Sequence, residues 1–474
     1  MIKCPNCSAE LKFSAKKQKV ICEYCGSEFD AKTLKEQVKM SKEVNEPKAV
    51  KETKEEKKKI VKEYEGKSFL CSQCGAKLMT FDDTAVTFCS YCGSQAVLEE
   101  ELMGKISPEL IIPFKITKEQ CIENYKRKVK SSIFAPKYLT DSDILDKFRG
   151  IYMPYAVYKV GCHKNVSNKG SVYYKSIGNY MYYHDYNVKA DVDAEYDGIS
   201  YDLVSKYYDV YSQAVRHNVK DAEDFNINYL SGFYVDTKDV DEKTYYKDAV
   251  DEVTGDANSR LRKQPIFAKH GVTSAKVGLD VLGVRKALFP VYFMSFRDKD
   301  NEHIHYAVVN AQTGEVTFEI PVSIPKFLIL SAILILPIFI LLEIFTYALP
   351  PRLSLAFIVV TSIITAIVAN IKLNRLHKQE NFLEDKGISS VTGPTKTKAK
   401  KMKYLIKQII TIGVCSLGFV IYTIEDFFYY GLAIFGFVMM TLTFIDLLKL
   451  HNELCKRKIP QLEKRGGLKQ WKSI

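Results

Sequence analysis

Eight cysteines constrain this chain more than any other feature. Cys4, Cys7, Cys22 and Cys25 form one set and Cys71, Cys74, Cys89 and Cys92 a second. Each set is two CxxC pairs separated by fourteen residues, and the offset between sets is 67 throughout. Four thiolates at the two ends of a short hairpin suit a tetrahedral ion with sulfurs at about 2.3 Å, and zinc is the ion this donor set selects. A closed four-sulfur site keeps no position open for water or substrate, so both Zn2+ sites are expected to be structural. Gly26, Gly75 and Gly93 follow the second cysteine of three knuckles, where positive φ lets backbone amides face sulfur; the remaining knuckle has Ser8. A redox reading needs a single CxxC beside a βαβ unit, whereas here paired motifs repeat at fixed spacing.

The last third of the chain has a different character. Residues 1–326 read as soluble protein, but Phe327–Leu349, Leu353–Ile371, Tyr404–Ile424 and Phe427–Leu448 are each apolar for about the 17 to 25 residues that cross a bilayer. Hydropathy therefore predicts a four-helix transmembrane region within 323–448. Residues 372–403 hold nine Lys or Arg against three acids and residues 449–474 hold eight against two, which together match the whole chain's formal charge of +12. The short connections near Pro350–Arg352 and Glu425–Asp426 carry little of that excess. The positive-inside rule then places the basic loop 372–403, the basic tail 449–474 and both termini in the cytoplasm of a multi-pass inner-membrane protein. "MIKCPNC" has neither an apolar stretch nor a cleavage site, so the ribbons are expected on the same side, where a reducing compartment favours metal-bound over disulfide-linked cysteines.

The ribbons, at 1–30 and 67–104, are not basic. Residues 1–30 have five Lys against four acids, and residues 67–100 have two Lys against Asp82, Asp83, Glu99 and Glu100. Each four-thiolate zinc adds about two further negative charges. Phosphate-backbone binding needs a basic face, so protein partners are the preferred reading and nucleic acid the weaker one. Residues 31–66, dominated by Lys and Glu, read as a charged flexible tether that lets the ribbons reach separately.

Residues 105–322 read as a strand-rich α+β soluble domain. Thr117 and Gln120 stand in a capping-box relation at the start of a helix whose apolar face is Cys121, Ile122, Tyr125 and Val129. "VKADVDAEYDG" alternates strictly, as a half-buried strand does. A second helix is expected over Asp241–Arg262, followed by a meander through "LFPVYFMSF", "HIHYAVVN" and "EVTFEIPV". The tyrosines of "VYYKSIGNYMYYHDY" offer stacking faces, but without interleaved Arg they read as strand residues. His303 and His305 lack a nearby third ligand and read as exposed strand histidines. The acids from Asp191 to Asp197 read as solvated surface, because a strand spreads carboxylates apart.

Catalytic signatures are missing from the sequence. It contains no phosphate-binding loop, no HExxH and no GxSxG, so no catalytic residue is assigned and a non-enzymatic role is expected. Cys121, Cys162, Cys415 and Cys455 read as buried or idle thiols. Glu343, near the outer end of the first span, is the one membrane acid that suggests a polar pathway, and interfacial burial explains it more simply.

The ribbon spacing resembles the TFIIB-type zinc ribbons, a group that includes transcription factors and the primosomal helicase. The order of parts resembles bacterial membrane proteins grouped by a TFIIB-type zinc ribbon. The matching text is "YCGS" at each ribbon end, "LIIPFKIT", "FRGIYMPYAVYKV", "LFPVYFMSF" and "VVNAQTGEVTFEIPVS". The resemblance implies a membrane location and two zinc sites, and no reaction. Taken together, the chain reads as a membrane-anchored adaptor or scaffold that binds protein partners through its ribbons. The alternative is a membrane-tethered nucleic-acid binder.

Overall fold

The computed structural model describes residues 3–34, 40–44, 61–81, 88–94, 97–298, 303–344, 351–386, 396–420 and 426–458. The first ribbon is a small antiparallel sheet of β1 (Leu11–Ser14), β2 (Lys19–Cys22) and β3 (Glu28–Phe29). Leu11, Phe13 and Val20 point to one buried face, as the period of two requires. That face lies against the large domain. Phe13 packs edge-on to Tyr229 at 5.1 Å, its amide donates to the Ser231 carbonyl at 3.1 Å, and Gln18 Nε2 donates to the Phe114 carbonyl at 2.7 Å. Asn228 donates to the Ala31 and Leu34 carbonyls and so ties down the ribbon's exit.

The second ribbon is woven into the main sheet. Strand β4 (Met40–Val44) pairs with β5 (Val61–Cys71), and β5 pairs with β6 (Lys77–Thr80) and β7 (Val97–Ile106). The described parts of 31–66 thus hold strands as well as linker, and both ribbons are docked instead of reaching separately. The reason is a period-two pattern hidden among charges: Tyr64, Gly66 and Ser68 are buried while Glu63, Glu65 and Lys67 between them are only partly so. Gly66 is required there, because a Cβ would lie 2.7 Å from the Thr80 carbonyl oxygen of the paired strand. Residues 35–39 and 45–60 of the expected tether lie outside the described residues.

The domain core is a hairpin of unusual length. Strand β8 (Leu110–Ile111) precedes β9 (Arg149–Ile177) and β10 (Tyr180–Asp202), which turn through Gly178 at φ 60°, the type II′ geometry that matches strand twist. Short strands β11 (Glu223–Asp224) and β12 (Tyr234–Asp236) lead to β13 (Asp280–Arg297), β14 (His303–Asn310) and β15 (Val316–Thr317). A last strand, β16 (Arg457–Lys458), returns from the far end of the chain to pair with β14. The order β11-β8-β13-β9-β12-β6-β5-β4 runs through one 13-stranded sheet, with β10 on β9 and β7 on β5. The second ribbon reaches the domain through β12, which is antiparallel to β6 and parallel to β9.

Helices cover this sheet as their patterns require. Helix α1 (Lys118–Lys130) starts with the Thr117–Gln120 capping box and buries Cys121, Tyr125 and Val129, with Ile122 at the margin. A single turn, α2 (Ser142–Leu145), and α3 (Asp209–Ala214) are followed by α4 (Tyr246–Lys263), which buries Ala249, Val253, Ala257 and Leu261 at intervals of four against β9 and β10, and by α5 (Pro265–Lys269). The expected alternation in β10 is present, with Val188 buried and Lys189, Asp191, Asp193 and Glu195 exposed. The last two of these acids face His163 and Lys159 across the hairpin, as a solvated charged face does. The histidine reading needs correction: His305 is buried and stacked on Phe296, and His303 is half-buried and bonded to Glu380. Cys121, Cys162, Cys415 and Cys455 are all buried.

Four helices close the described chain: α6 (Ile324–Ile344), α7 (Pro351–Glu380), α8 (Lys396–Val420) and α9 (Asp426–Leu454). Two stretches, Leu355–Glu380 and Phe428–Leu454, are long and apolar enough to cross a membrane, and the shorter Ile324–Pro337 is apolar too. Helix α8 starts eight residues before the apolar run at Tyr404, and α7 runs nine past Ile371, because flanking Lys and Arg are good helix formers. Large apolar side chains such as Ile333, Phe357, Ile364, Ile409 and Phe437 are exposed on these helices. Glu343 lies in α6, and its side chain is outside the described set. So are residues 345–350, 387–395, 421–425 and 459–474.

Candidate metal centres

The four knuckles share one backbone design. Cys4, Cys22, Cys71 and Cys89 amides donate to the carbonyls of Ala9, Ser27, Ala76 and Ser94, and the amides of Ser8, Gly26, Gly75 and Gly93 return to the carbonyls of those same cysteines. The returning residue needs positive φ, and all four have it, between 61° and 71°. Ser8 therefore adopts the glycine conformation at a cost of roughly 1 kcal/mol.

These turns bring the sulfurs together. Within each cluster the ligand atoms all lie within 4.8 Å of one another. Cys4 and Cys25 sulfurs are 3.6 Å apart and Cys7 and Cys22 3.4 Å; Cys71 and Cys92 are 3.6 Å apart and Cys74 and Cys89 3.7 Å. A tetrahedron of sulfurs at about 2.3 Å from its centre has edges of roughly 3.8 Å, whereas a disulfide needs about 2.05 Å. Both sets fit a four-thiolate ion and neither fits a disulfide. Among the described residues these are the two groups of three or more His, Cys, Asp or Glu that can share an ion.

The two centres differ in setting. In the first, Cys4 and Cys22 are buried, Cys7 is partly covered and Cys25 is exposed. Ser27, whose hydroxyl is 3.1 Å from Cys25 sulfur, holds that thiol down to about 6, toward the thiolate a metal requires. In the second, all four cysteines are buried among Leu78, Met153, Phe293, Tyr306 and Phe382. Arg297 binds its outer side, with Nε on the Cys92 carbonyl at 2.7 Å and a guanidinium nitrogen 3.8 Å from Cys92 sulfur. That guanidinium offsets part of the excess negative charge of a buried four-thiolate site. Ser295 donates to the Ser90 carbonyl, and Tyr91 donates to Asp236, with Met153 sulfur 3.4 Å from the same hydroxyl. Sequence reasoning named the eight cysteines and missed Arg297, Ser295 and Asp236, whose knuckle partners lie 145 or more positions away in the chain and which carry no motif.

Asp236 has a measurable consequence. Burial pushes its carboxyl up from 3.8 to about 7. The folded state then holds this proton more tightly than the unfolded chain does across that window. Stability falls as pH rises from about 4 to about 7 and levels off above. Asp236→Asn, which still accepts from Tyr91, is expected to remove that slope. Thermal unfolding of the protein from about pH 5 to about pH 8 tests it; equal slopes in both proteins exclude Asp236 as the cause.

Residues 4–28 match the PriA DNA helicase Cys-rich region (CRR) domain, so the amino-terminal unit carries a zinc-ribbon signature. The "Uncharacterized protein YdjG" of Bacillus subtilis (strain 168) is 24% identical over 330 residues, which cover 68% of this chain and 90% of that protein. No solved structure matches the chain.

Proposed function

We propose that this chain is a non-enzymatic scaffold that holds protein partners at the cytoplasmic face of a bacterial membrane, anchored by four spans. The observation that carries the reading is the pair of closed cysteine clusters, one built into the large sheet that is bonded directly to the apolar helices and the other docked on that domain in its own small sheet. Zinc is the ion assigned to both clusters, on the strength of sulfur spacing and the knuckle amides. With four thiolates each, the sites have no vacancy for chemistry, and their role is to fix a surface. Exposed apolar side chains on all four helices support lipid contact, and the basic segments at 372–403 and 449–474 support a cytoplasmic location for both. The TFIIB-type grouping belongs to the same reading.

The docked arrangement narrows which ribbon serves the partner. The second is enclosed by the domain, so the first, with its exposed knuckle, is the contacting one. Cys4→Ser with Cys7→Ser is expected to abolish partner recovery while the protein stays in carbonate-washed membranes. The measurement is crosslinking in living cells, with and without nuclease, followed by purification from the membrane fraction. Unchanged recovery by the double variant sinks the scaffold reading. A second reading is favoured by one observation, the DNA-helicase description of the ribbon signature at 4–28. Nuclease-sensitive recovery of DNA or RNA, weakening steeply with salt, replaces the protein scaffold with a nucleic-acid tether.

A further inference from the structure

The internal repeat supplies a template for what the first ribbon binds. The "YCGS" text occurs at 24–27 and at 91–94, so Tyr24 and Tyr91 hold the same place in their knuckles. The backbone confirms the equivalence. Gly26 and Gly93 amides both donate at 2.9 Å to the first cysteine of the pair, and both glycines have φ near 70°. Yet Tyr91 is 1% exposed and Tyr24 is 85% exposed.

In the second ribbon this knuckle is the plug that seats the ribbon on the domain. The Tyr91 ring lies 5.1 Å from that of Phe293, and its hydroxyl reaches Met153 sulfur and the buried Asp236 carboxylate. On either side of the ring the knuckle carbonyls are capped: Ser90 by the Ser295 hydroxyl, Cys92 by the Arg297 guanidinium. Ser295 and Arg297 are two residues apart on β13, so one strand supplies both donors. The receptor for the knuckle is therefore an apolar pocket closed by a carboxylate, beside a strand that presents a hydroxyl and a guanidinium.

The first ribbon docks by a different surface, the face of Leu11, Phe13 and Val20, and leaves its tyrosine knuckle outward. Tyr24, the Glu23 carbonyl and the Cys25 carbonyl stand where Tyr91, Ser90 and Cys92 make their contacts. Each of the matching groups has the same bonding capacity: a ring for an apolar wall, a hydroxyl for a carboxylate and two carbonyls for donors. The chain's own receptor is filled by Tyr91, so a second copy in this conformation has no vacant pocket for Tyr24.

We propose that Tyr24 is the anchor by which the first ribbon holds its partner. The partner is a protein surface with an apolar pocket closed by an Asp or Glu carboxylate and flanked by an Arg donor. This inference rests on the scaffold reading and names the partner's chemistry. A buried aromatic anchor whose hydroxyl meets a carboxylate is the type of residue that dominates binding energy at interfaces. Loss of one hydrogen bond to a charged group lowers affinity by about 10- to 100-fold.

The test uses the full-length chain in its own membrane. A benzophenone amino acid replaces Glu23, the exposed neighbour of Tyr24, in one strain and Lys19, exposed on β2, in another, and irradiation is followed by mapping of the crosslinked peptides. The expected result is one partner trapped from position 23 and not from position 19, at a segment with an acid among apolar residues. With that partner purified, Tyr24→Phe binds about tenfold more weakly or worse, the partner's acid-to-amide variant loses as much, and the two losses do not add. Binding unaltered by Tyr24→Phe overturns the proposal. So do adducts only with lipid, with a second copy, or equally from both positions. A partner trapped from another ribbon position and indifferent to Tyr24 leaves the scaffold reading standing while this inference fails; no protein adduct from any ribbon position removes both.

Discussion

Cys71→Ser and Cys92→Ser are each expected to unfold the soluble domain, whereas Cys4→Ser unfolds only the first ribbon. Cys71 is at once a ligand and the last residue of β5, paired with Val97. Its cluster shares a core with Ile151, Met153, Tyr155 and Val157 of β9 and with Phe289, Val291 and Phe293 of β13, the central strands of the sheet. A structural zinc in a small ribbon contributes about 10 to 16 kcal/mol of apparent binding energy. That is comparable to the roughly 5 to 15 kcal/mol by which a typical domain is stable. Removing one thiolate also leaves three buried sulfurs beside Arg297 with no ion to organise them. The first cluster sits outside the large sheet in its own three-stranded one, so its loss costs the docking contacts of Phe13, Gln18 and Asn228 and spares β9 and β13. Metal content with hydrogen exchange separates the two cases. Cys4→Ser should retain one ion and full protection of Gly150–Val160, and Cys71→Ser should lose that protection. Retained protection in Cys71→Ser shows that the sheet does not depend on its metal.

The two cysteine clusters were legible in the sequence because such a set is local: two residues between cysteines fix a knuckle, and the knuckle fixes its own hydrogen bonds. Helix α1 and the alternating half of β10 were legible for the same reason, since capping and periodicity act over a few residues. What surrounds the second site was not. Arg297, Ser295 and Asp236 act across a sheet, and sheet pairing between residues so far apart leaves no short-range trace. The tether reading missed a strand that charge hid, because the half-buried Glu63, Glu65 and Lys67 alternate with the buried positions of β5 and dominate the composition. Hydropathy located the apolar helices but not their ends, because the Lys- and Arg-rich flanks of α7 and α8 are helical without being apolar. His305 was misread because its burial depends on Phe296 of the neighbouring strand.

The two ribbons also show why duplication need not mean equivalence. The same knuckle is packed into the domain at Tyr91 and leaves its tyrosine exposed at Tyr24, so one copy is part of the large domain's core and the other presents its ring at the surface. Neighbouring surfaces, and not the ribbons, decide which copy does which.

Replacing Arg457 is expected to loosen the joint between the platform and the apolar helices. Arg457 follows the end of α9, is 3% exposed and pairs through β16 with Ile304 of β14. Its guanidinium lies over Tyr208 and Tyr211, 5.6 Å and 5.4 Å from the ring centres. Nearby, Asp385 accepts from the Asp209 amide at 3.2 Å, and burial pushes its carboxyl up to about 6 against the lowering effect of Arg457. Glu380 at the end of α7 accepts from His303, and Lys386 pairs with Asp248 of α4, so both long helices are tied to one side of the sheet. Arg457→Ala removes the cation from two ring faces and leaves Asp385 more costly to ionise, a loss of about 3 kcal/mol. Arg457→Lys recovers only part of it, since a point charge on a flexible stem neither stacks nor forks. Hydrogen exchange is the measurement: His303–Tyr306 should exchange about 100-fold faster in Arg457→Ala, with β9 unchanged. The local origin follows from the contrast with Cys71→Ser, which should release both regions together. Identical exchange at His303–Tyr306 in Arg457→Ala and the parent chain places the joint elsewhere, in the bonds from His451 and Asn452 to Ile320 and Val322.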